Sequence, residues 1–174
     1  AQLATVEPNE AHTILAELEK DFEVTVITQN VDNLHERAGS TNIIHLHGEL
    51  TKVRPEDTYT DMDWWSERYV QDIGYKAINL GDKGGPHNTQ LRPHIVWFGE
   101  QVSNLQKAAE AVSRADILLI VGTSMQVYPA AGLYQYAPSG CKIYMIDPDP
   151  AAAAHVSGVV HIKDVATDGM RKFR

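Results

Sequence analysis

Apolar positions along the chain alternate between two spacings, and the changes of spacing divide it into elements. Ala11, Ile14, Leu15 and Leu18 fall at i, i+3, i+4 and i+7. That is one face of a 3.6-residue period, so residues 9–19 are predicted to form an amphipathic helix with Asn9 as its cap. Leu105, Ala108, Ala109 and Val112 repeat the spacing and predict a second helix over 104–114. Short apolar runs bounded by turn residues predict strands at 24–28, 43–47, 93–98, 116–121, 142–146 and 159–162. Ile117 to Val121 are apolar without interruption, which suits a strand covered on both faces in a parallel sheet. Asp32 introduces a short helix over 33–38 that Gly39 closes as a left-handed residue, and another helix begins near Pro129. Strands alternating with helices predict an α/β protein with a mostly parallel sheet.

Residues 51–91 break this pattern. Pro55, several acidic residues, Trp64-Trp65 and the turn Gly81-Asp82-Lys83-Gly84-Gly85-Pro86 share no long period. The stretch reads as a small module inserted into a main domain made of 1–50 and 92–174.

Composition narrows the picture. With 174 residues, 43% hydrophobic and 22% charged, the chain can bury a core without staples. A net charge of −8 argues against nucleic acid as the main partner. A lone Cys141 allows neither an internal disulfide nor a thiolate zinc cage, and it suits a reducing, cytoplasmic location. No apolar run reaches membrane-spanning length, so no membrane partner is expected. The first residues carry no basic head or apolar signal core, and the absence of an initiator Met suggests a piece of a longer chain.

Candidate chemistry sits where strands end. Gln29, Asn30 and Asp32 follow the first strand, and His45 and His47 close the next. In an open parallel sheet, ligands bind at the carboxyl ends of strands. Asp32 alone could also be a turn and cap residue. His45 is best read as a hydrogen-bonded core histidine, whereas His47, beside Gly48, suits a general base near pH 7. Gly122-Thr123-Ser124 ends another strand, and Asp147 follows Gly122 by 25 residues. Either this is a ribose-binding acid beyond a glycine turn, or it is an ordinary turn and a solvated acid. Val96, Trp97, Phe98 and Gly99 fit plain core better than a channel wall. His87, Asp61 and Asp63 lack regular ligand spacing, so no metal is expected.

The runs TQNVDNLHERAG (28–39), HLHGEL (45–50), RPHIVWFGE (92–100) and GTSMQVYPAAG (122–132) together resemble the sirtuins, the NAD-dependent protein deacylases. The resemblance is closest to the bacterial and mitochondrial-like branch. It implies a Rossmann-like fold with a small module, and NAD as cofactor. The implied reaction attacks the ribose C1′ with an acyl-lysine oxygen and yields nicotinamide, O-acyl-ADP-ribose and free lysine. By position His47 matches the general base. Asn30 and Asp32 match residues around nicotinamide and its ribose, and Gln29 matches a ribose-side contact. Gly122, Thr123 and Ser124 match the ribose and phosphate loop, Asp147 a ribose contact, and Val165 and Ala166, weakly, the adenine side. Val96 and Phe98 match the acyl-lysine tunnel. Gly99, Glu100, Val127 and Tyr128 would flank a substrate peptide docked as an added strand.

Three features depart from the family pattern, one of them Asp147 at the ribose position where the family often carries Asn. The N-terminal GAG-x-S segment lies outside this sequence, and residues 52–91 hold no cysteine where the family carries a zinc ribbon. No zinc is therefore expected, and Trp64, Trp65, Tyr69 and Ile73 are expected to hold the module. The leading expectation is a protein-lysine deacylase of deacetylase or desuccinylase type acting on acylated lysine of protein substrates. The alternative is a catalytically silent NAD or ADP-ribose-binding module, because the phosphate loop is absent from this chain. A nicotinamide dehydrogenase fits less well, since the glycine turn is imperfect.

Overall fold

A computed structural model describes residues 2–59 and 67–174. Trp64 and Trp65 lie outside the described residues. Helix α1 spans Glu10–Leu18, and Asn9 caps it by accepting from the Ala11 and His12 amides. The His12 ring accepts from the Asn9 amide in return, at 3.2 Å. A histidine thus plays the part that Glu or Gln takes in the usual capping box.

Strand β1 (Val26–Thr28) pairs in parallel with β2 (Ile43–His45), and helix α2 (Leu34–Ala38) joins them. Gly39 ends α2 with φ of 105°. Strands β7 (Ile117–Val121), β8 (Lys142–Ile146) and β9 (Val160–Ile162) form a second parallel group in that order. A 3-10 helix at Ala130–Tyr136 and helix α4 (Pro150–Ala153) make the crossovers. This is an α/β, Rossmann-like arrangement, in which each parallel neighbour is reached through a helical connection.

Between the two parallel groups in sequence lies an antiparallel sheet ordered β4-β3-β6-β5. Its long strands are β3 (Gly48–Pro55) and β6 (Thr89–Ile95); β4 is Gln71–Asp72 and β5 is Lys83–Gly84. The pairing slips between Glu49 and Val53, and Pro93 sits at the slip. A bulge tolerates proline because no ladder hydrogen bond needs its missing N–H. The strand expected over 93–98 therefore starts and ends earlier. Beyond it the chain turns, with Gly99 at φ of 92° and the Glu100 carboxylate accepting from the Trp97 amide. Trp97 and Phe98 are 55% and 102% exposed, so they are not core.

Strand β8 organises the packing. Successive side chains of a strand face opposite ways. Ile146 packs with Ala11 and Ile14 of α1 and Met170 of α5 (Ala166–Phe173), while Met145 packs with Met125, Ala152 and Val156. A third cluster joins Ile44 and Leu46 to Ala108 and Val112 of α3 (Leu105–Val112) and to Ala130 and Leu133. The apolar run of β7 is packed on both faces, as expected: Leu118 and Ile120 lie against the clusters of Ile44 and Met145, and Leu119 and Val121 against that of Ile146. Only Ile117, at the start of this outer strand, is 47% exposed.

Helix α5 carries no sequence signature that predicts it. Its apolar stripe is short, and Gly169 interrupts it. The glycine is there because a Cβ would fall 2.1 Å from the Ile146 Cγ2. Its absence lets α5 lie directly on β8. Among the described residues no helix is long and apolar enough to cross a membrane. Met170 is fully buried between α1, α5 and β8, so Met170→Ala should cost about 2–5 kcal/mol. A lowered urea midpoint at unchanged m-value would show it.

Candidate functional site

The segment after β1 is irregular, and irregular backbone near a core needs partners for its carbonyls. Four consecutive carbonyls find them in one short stretch, 45–50. The Leu46 amide donates to Thr28 O at 2.9 Å, and the Leu50 amide to Val31 O at 2.8 Å. Between them the His47 Nδ1 lies 3.0 Å from Gln29 O, and the His45 Nδ1 lies 3.4 Å from Asn30 O. Thr28 also steadies the loop from inside, its hydroxyl accepting from the Asn30 amide at 3.1 Å. Asp32 accepts from the Leu34 amide at 3.1 Å and so starts α2.

The consequence for His47 is chemical. A carbonyl can only accept, so the Gln29 contact assigns a proton to Nδ1, and in the neutral ring Nε2 is then the nitrogen with the lone pair. The structure thus brings Gln29, Asn30 and His47 together. It joins Val96 to them, since the Val96 amide donates to His47 O at 2.9 Å. Gly48, at φ of 80°, makes this junction possible, because a Cβ there would lie 2.0 Å from His94 O. Only glycine lets the backbones approach so closely.

Beneath the junction is a charged cluster. Glu100 holds Arg92 at 2.7 Å and Arg54 at 3.6 Å. Burial raises the Glu100 pKa, but the Arg92 hydrogen bond, the Trp97 amide and the two guanidinium charges outweigh it and hold the carboxyl below its usual range. The Glu100 side chain is thereby committed to shaping the 97–100 turn. His94 is buried, and burial together with Arg54, Lys52 and Arg92 pushes its pKa down to about 4.

A second group gathers at the carboxyl ends of β7 and β8. Gly122 has φ of 60°, and no atom lies within 4 Å of where a Cβ would stand. That open backbone is a place a ligand can approach. The Thr123 hydroxyl accepts from the Met125 amide at 3.3 Å, and Ser124 is exposed. Asp147 is buried, its carboxylate accepting from the Asp149 amide at 2.8 Å and its carbonyl from His161 Nε2 at 2.8 Å. Ala166 opens α5 and packs into the core beside β9. Val127 and Tyr128 are exposed, as are Phe98 and Gly99.

Two contributors escaped the sequence reading. Asn104 reaches across from the start of α3, its side-chain amide donating to His45 O at 2.8 Å. Glu36 on α2 meets His45 Nε2 at 2.7 Å. Glu36, His45 and Glu49 place their ligand atoms within 4.8 Å of one another. Direct hydrogen bonding accounts for the trio, since Glu36 bonds His45 and Glu49 bonds Lys52 at 2.6 Å. Nothing in the local sequence distinguishes either residue, because both are polar groups on helix ends or surfaces.

An α/β protein with polar loops at the ends of its parallel strands belongs to the class that binds nucleotides there. Comparison with known proteins makes this specific. The model of the Sir2 family matches residues 1–129, and the chain belongs to that family. It is 49% identical over 176 residues to a Bacteroides thetaiotaomicron protein named NAD-dependent protein deacylase, covering 99% of this chain and 72% of the relative. A Helicobacter pylori protein of the same name is 48% identical over 170 residues, covering 98% and 70%. Among solved structures, a Sir2 homologue in complex with NAD superposes with a TM-score of 0.82 at 35% identity, over 98% of this chain and 65% of that one. A Sir2–p53 peptide–NAD+ structure gives 0.77 at 28% identity, over 98% and 70%.

Two outcomes test the junction. Gly48→Ala should destabilise the protein by about 3 kcal/mol or more, from the left-handed backbone and the clash together, read as a loss of cooperative melting near ambient temperature. His94 makes stability depend on pH with a definite sign. Its folded pKa lies below the unfolded value of 6.5, so the contribution is complete above pH 6.5 and is lost as pH falls toward about 4. Chemical denaturation from pH 7 to 4 should show a shallower decline for His94→Asn than for the natural chain.

Proposed function

We propose that the protein is an NAD-dependent protein-lysine deacylase. One observation carries the proposal. The Gln29 carbonyl holds a proton on His47 Nδ1, so Nε2 of the neutral ring is an acceptor between β2 and β3, beside the 29–32 loop. The family membership and the names of the relatives support it.

The residues at the two strand-end groups suit a dinucleotide. Gly122 offers open backbone, Thr123 and Ser124 offer hydroxyls for ribose and phosphate, and Asp147 offers a carboxylate for ribose hydroxyls. Asn30 can orient the nicotinamide amide and Gln29 a ribose edge, while Asp32 supplies negative charge where positive charge develops. Ala166 would lie on the adenine side. When bound, NAD supplies a nicotinamide–ribose bond whose cleavage lets an acyl-lysine oxygen take nicotinamide's place. With NAD bound, His47 Nε2 would be the acceptor for a ribose hydroxyl proton, as general base.

On the substrate side, exposed Phe98, Val127 and Tyr128, with Val96 and Gly99, would line the path of an acylated lysine and its flanking peptide. Glu100 holds that path open through its hold on the 97–100 turn. We infer that 1–50 and 92–174 carry the cofactor site and that 51–91 form a small, zinc-free module, since the latter stretch contains no cysteine. A cytoplasmic location suits Cys141 and an NAD supply, and neither nucleic acid nor membrane enters the reaction.

Incubation with NAD and acylated peptide should release nicotinamide and free lysine. His47→Ala should lower the rate by at least about 100-fold while NAD still binds. Unchanged release in that variant would remove His47 from its role. Calorimetric binding of NAD by the natural protein without any turnover would favour the silent binding module instead.

A further inference from the structure

We propose that Glu36 and His45 form a charged positioning pair, in which an imidazolium at His45 bridges the Glu36 carboxylate and the Asn30 carbonyl and so holds the 28–32 loop in shape. The functional consequence rests on the deacylase reading; the pair itself does not.

The geometry sets the protonation. His45 Nε2 lies 2.7 Å from Glu36 Oε1, and Nδ1 lies 3.4 Å from Asn30 O. Both partners are acceptors, so both ring nitrogens must carry protons for both contacts to be attractive. His45 is buried, so a lone pair aimed at the Asn30 carbonyl is a repulsive contact that its surroundings relieve poorly. Asn104, holding His45 O, prevents the backbone from retreating.

The surrounding charges agree. Burial lowers the His45 pKa, but the Glu36 hydrogen bond and charge, the Glu49 charge and the Asn30 carbonyl outweigh it and raise it above the ordinary histidine value. Burial likewise works against Glu36, and the His45 bond and charge reverse it, leaving its carboxyl below the usual range. His35, the other ring facing this cluster, is pushed the opposite way by burial and by the charges of His12 and His45, against Asp32 and Glu36. Lys52 pairs with Glu49 at 2.6 Å. Two histidines ten residues apart are thus shifted in opposite directions, His45 upward and His35 downward.

Above its raised pKa, His45 keeps one proton for two acceptors. The carboxylate is the stronger, so the proton stays on Nε2 and the Asn30 carbonyl faces a lone pair. The loop then loosens, and the NAD side of the site loses affinity at alkaline pH. Replacing Glu36 with glutamine removes this limb, because the amide can donate to Nε2 and leave the single proton on Nδ1.

The test needs no ligand for its first part. Imidazole nitrogen resonances of the natural chain should show His45 titrating above 6.5, and the Val31 amide should shift with that titration. In Glu36→Gln the His45 titration should fall, and the Val31 amide should hold its acid-form position to higher pH. With NAD and acylated peptide, KM for NAD should rise with pH through the His45 titration in the natural protein at nearly constant kcat. That rise should vanish in Glu36→Gln, whereas His45→Phe should raise KM about tenfold at every pH. Titration of His45 at or below 6.5, a Val31 amide indifferent to it, or the same alkaline limb in Glu36→Gln would overturn the pair. A protein that turns over no NAD, yet shows the high titration and the linked Val31 shift, upholds the pair and counts against the deacylase reading alone.

Discussion

The structure depends on how the carbonyls of Thr28, Gln29, Asn30 and Val31 are satisfied. A parallel strand that stops short leaves backbone acceptors without ladder partners, and each needs a donor. The stretch 45–50 answers with two amides and two imidazoles. The same bonds that stabilise the loop decide where the protons sit on both rings. Structural satisfaction and acid–base chemistry are therefore one arrangement here, not two.

From that seam the constraint spreads outward. His47 passes it to Val96 through its carbonyl, and Gly48 lets β3 and β6 close against each other there. Glu100 fixes the turn that follows with two guanidinium partners. Leu50, freed from the β3–β6 ladder by the slip in pairing, is what reaches Val31. The bulge is thus the feature that ties the antiparallel sheet to the loop after β1.

The second strand-end group is built differently. Its loop keeps open backbone at Gly122, and its acid at Asp147 is held by local turn bonds and by His161 of β9. Here the parallel group β7-β8-β9 supplies rigidity through β8, whose two faces pack into separate clusters. A site gains precision from rigid supporting strands, and β8 is such a support.

Much of this was legible in residue order. The 3.6 period gave α1 and α3, Asn9 and Gly39 marked helix ends, and the apolar runs gave β1, β2, β7, β8 and β9, because short-range sterics and capping act between near neighbours in sequence. His45 as a bonded core histidine and His47 beside a required glycine were readable from strand ends alone. The tertiary structure decided the rest. Helix α5 lies close on β8 because Gly169 leaves room for Ile146, the strand expected over 93–98 starts and ends earlier where β6 pairs with β3, and Glu100 holds the turn that carries the exposed Trp97 and Phe98. The partners of the His45 ring, Glu36 and Asn30, lie 9 and 15 residues away. Such outcomes follow from distances between groups that only folding brings together, and no local pattern encodes a distance.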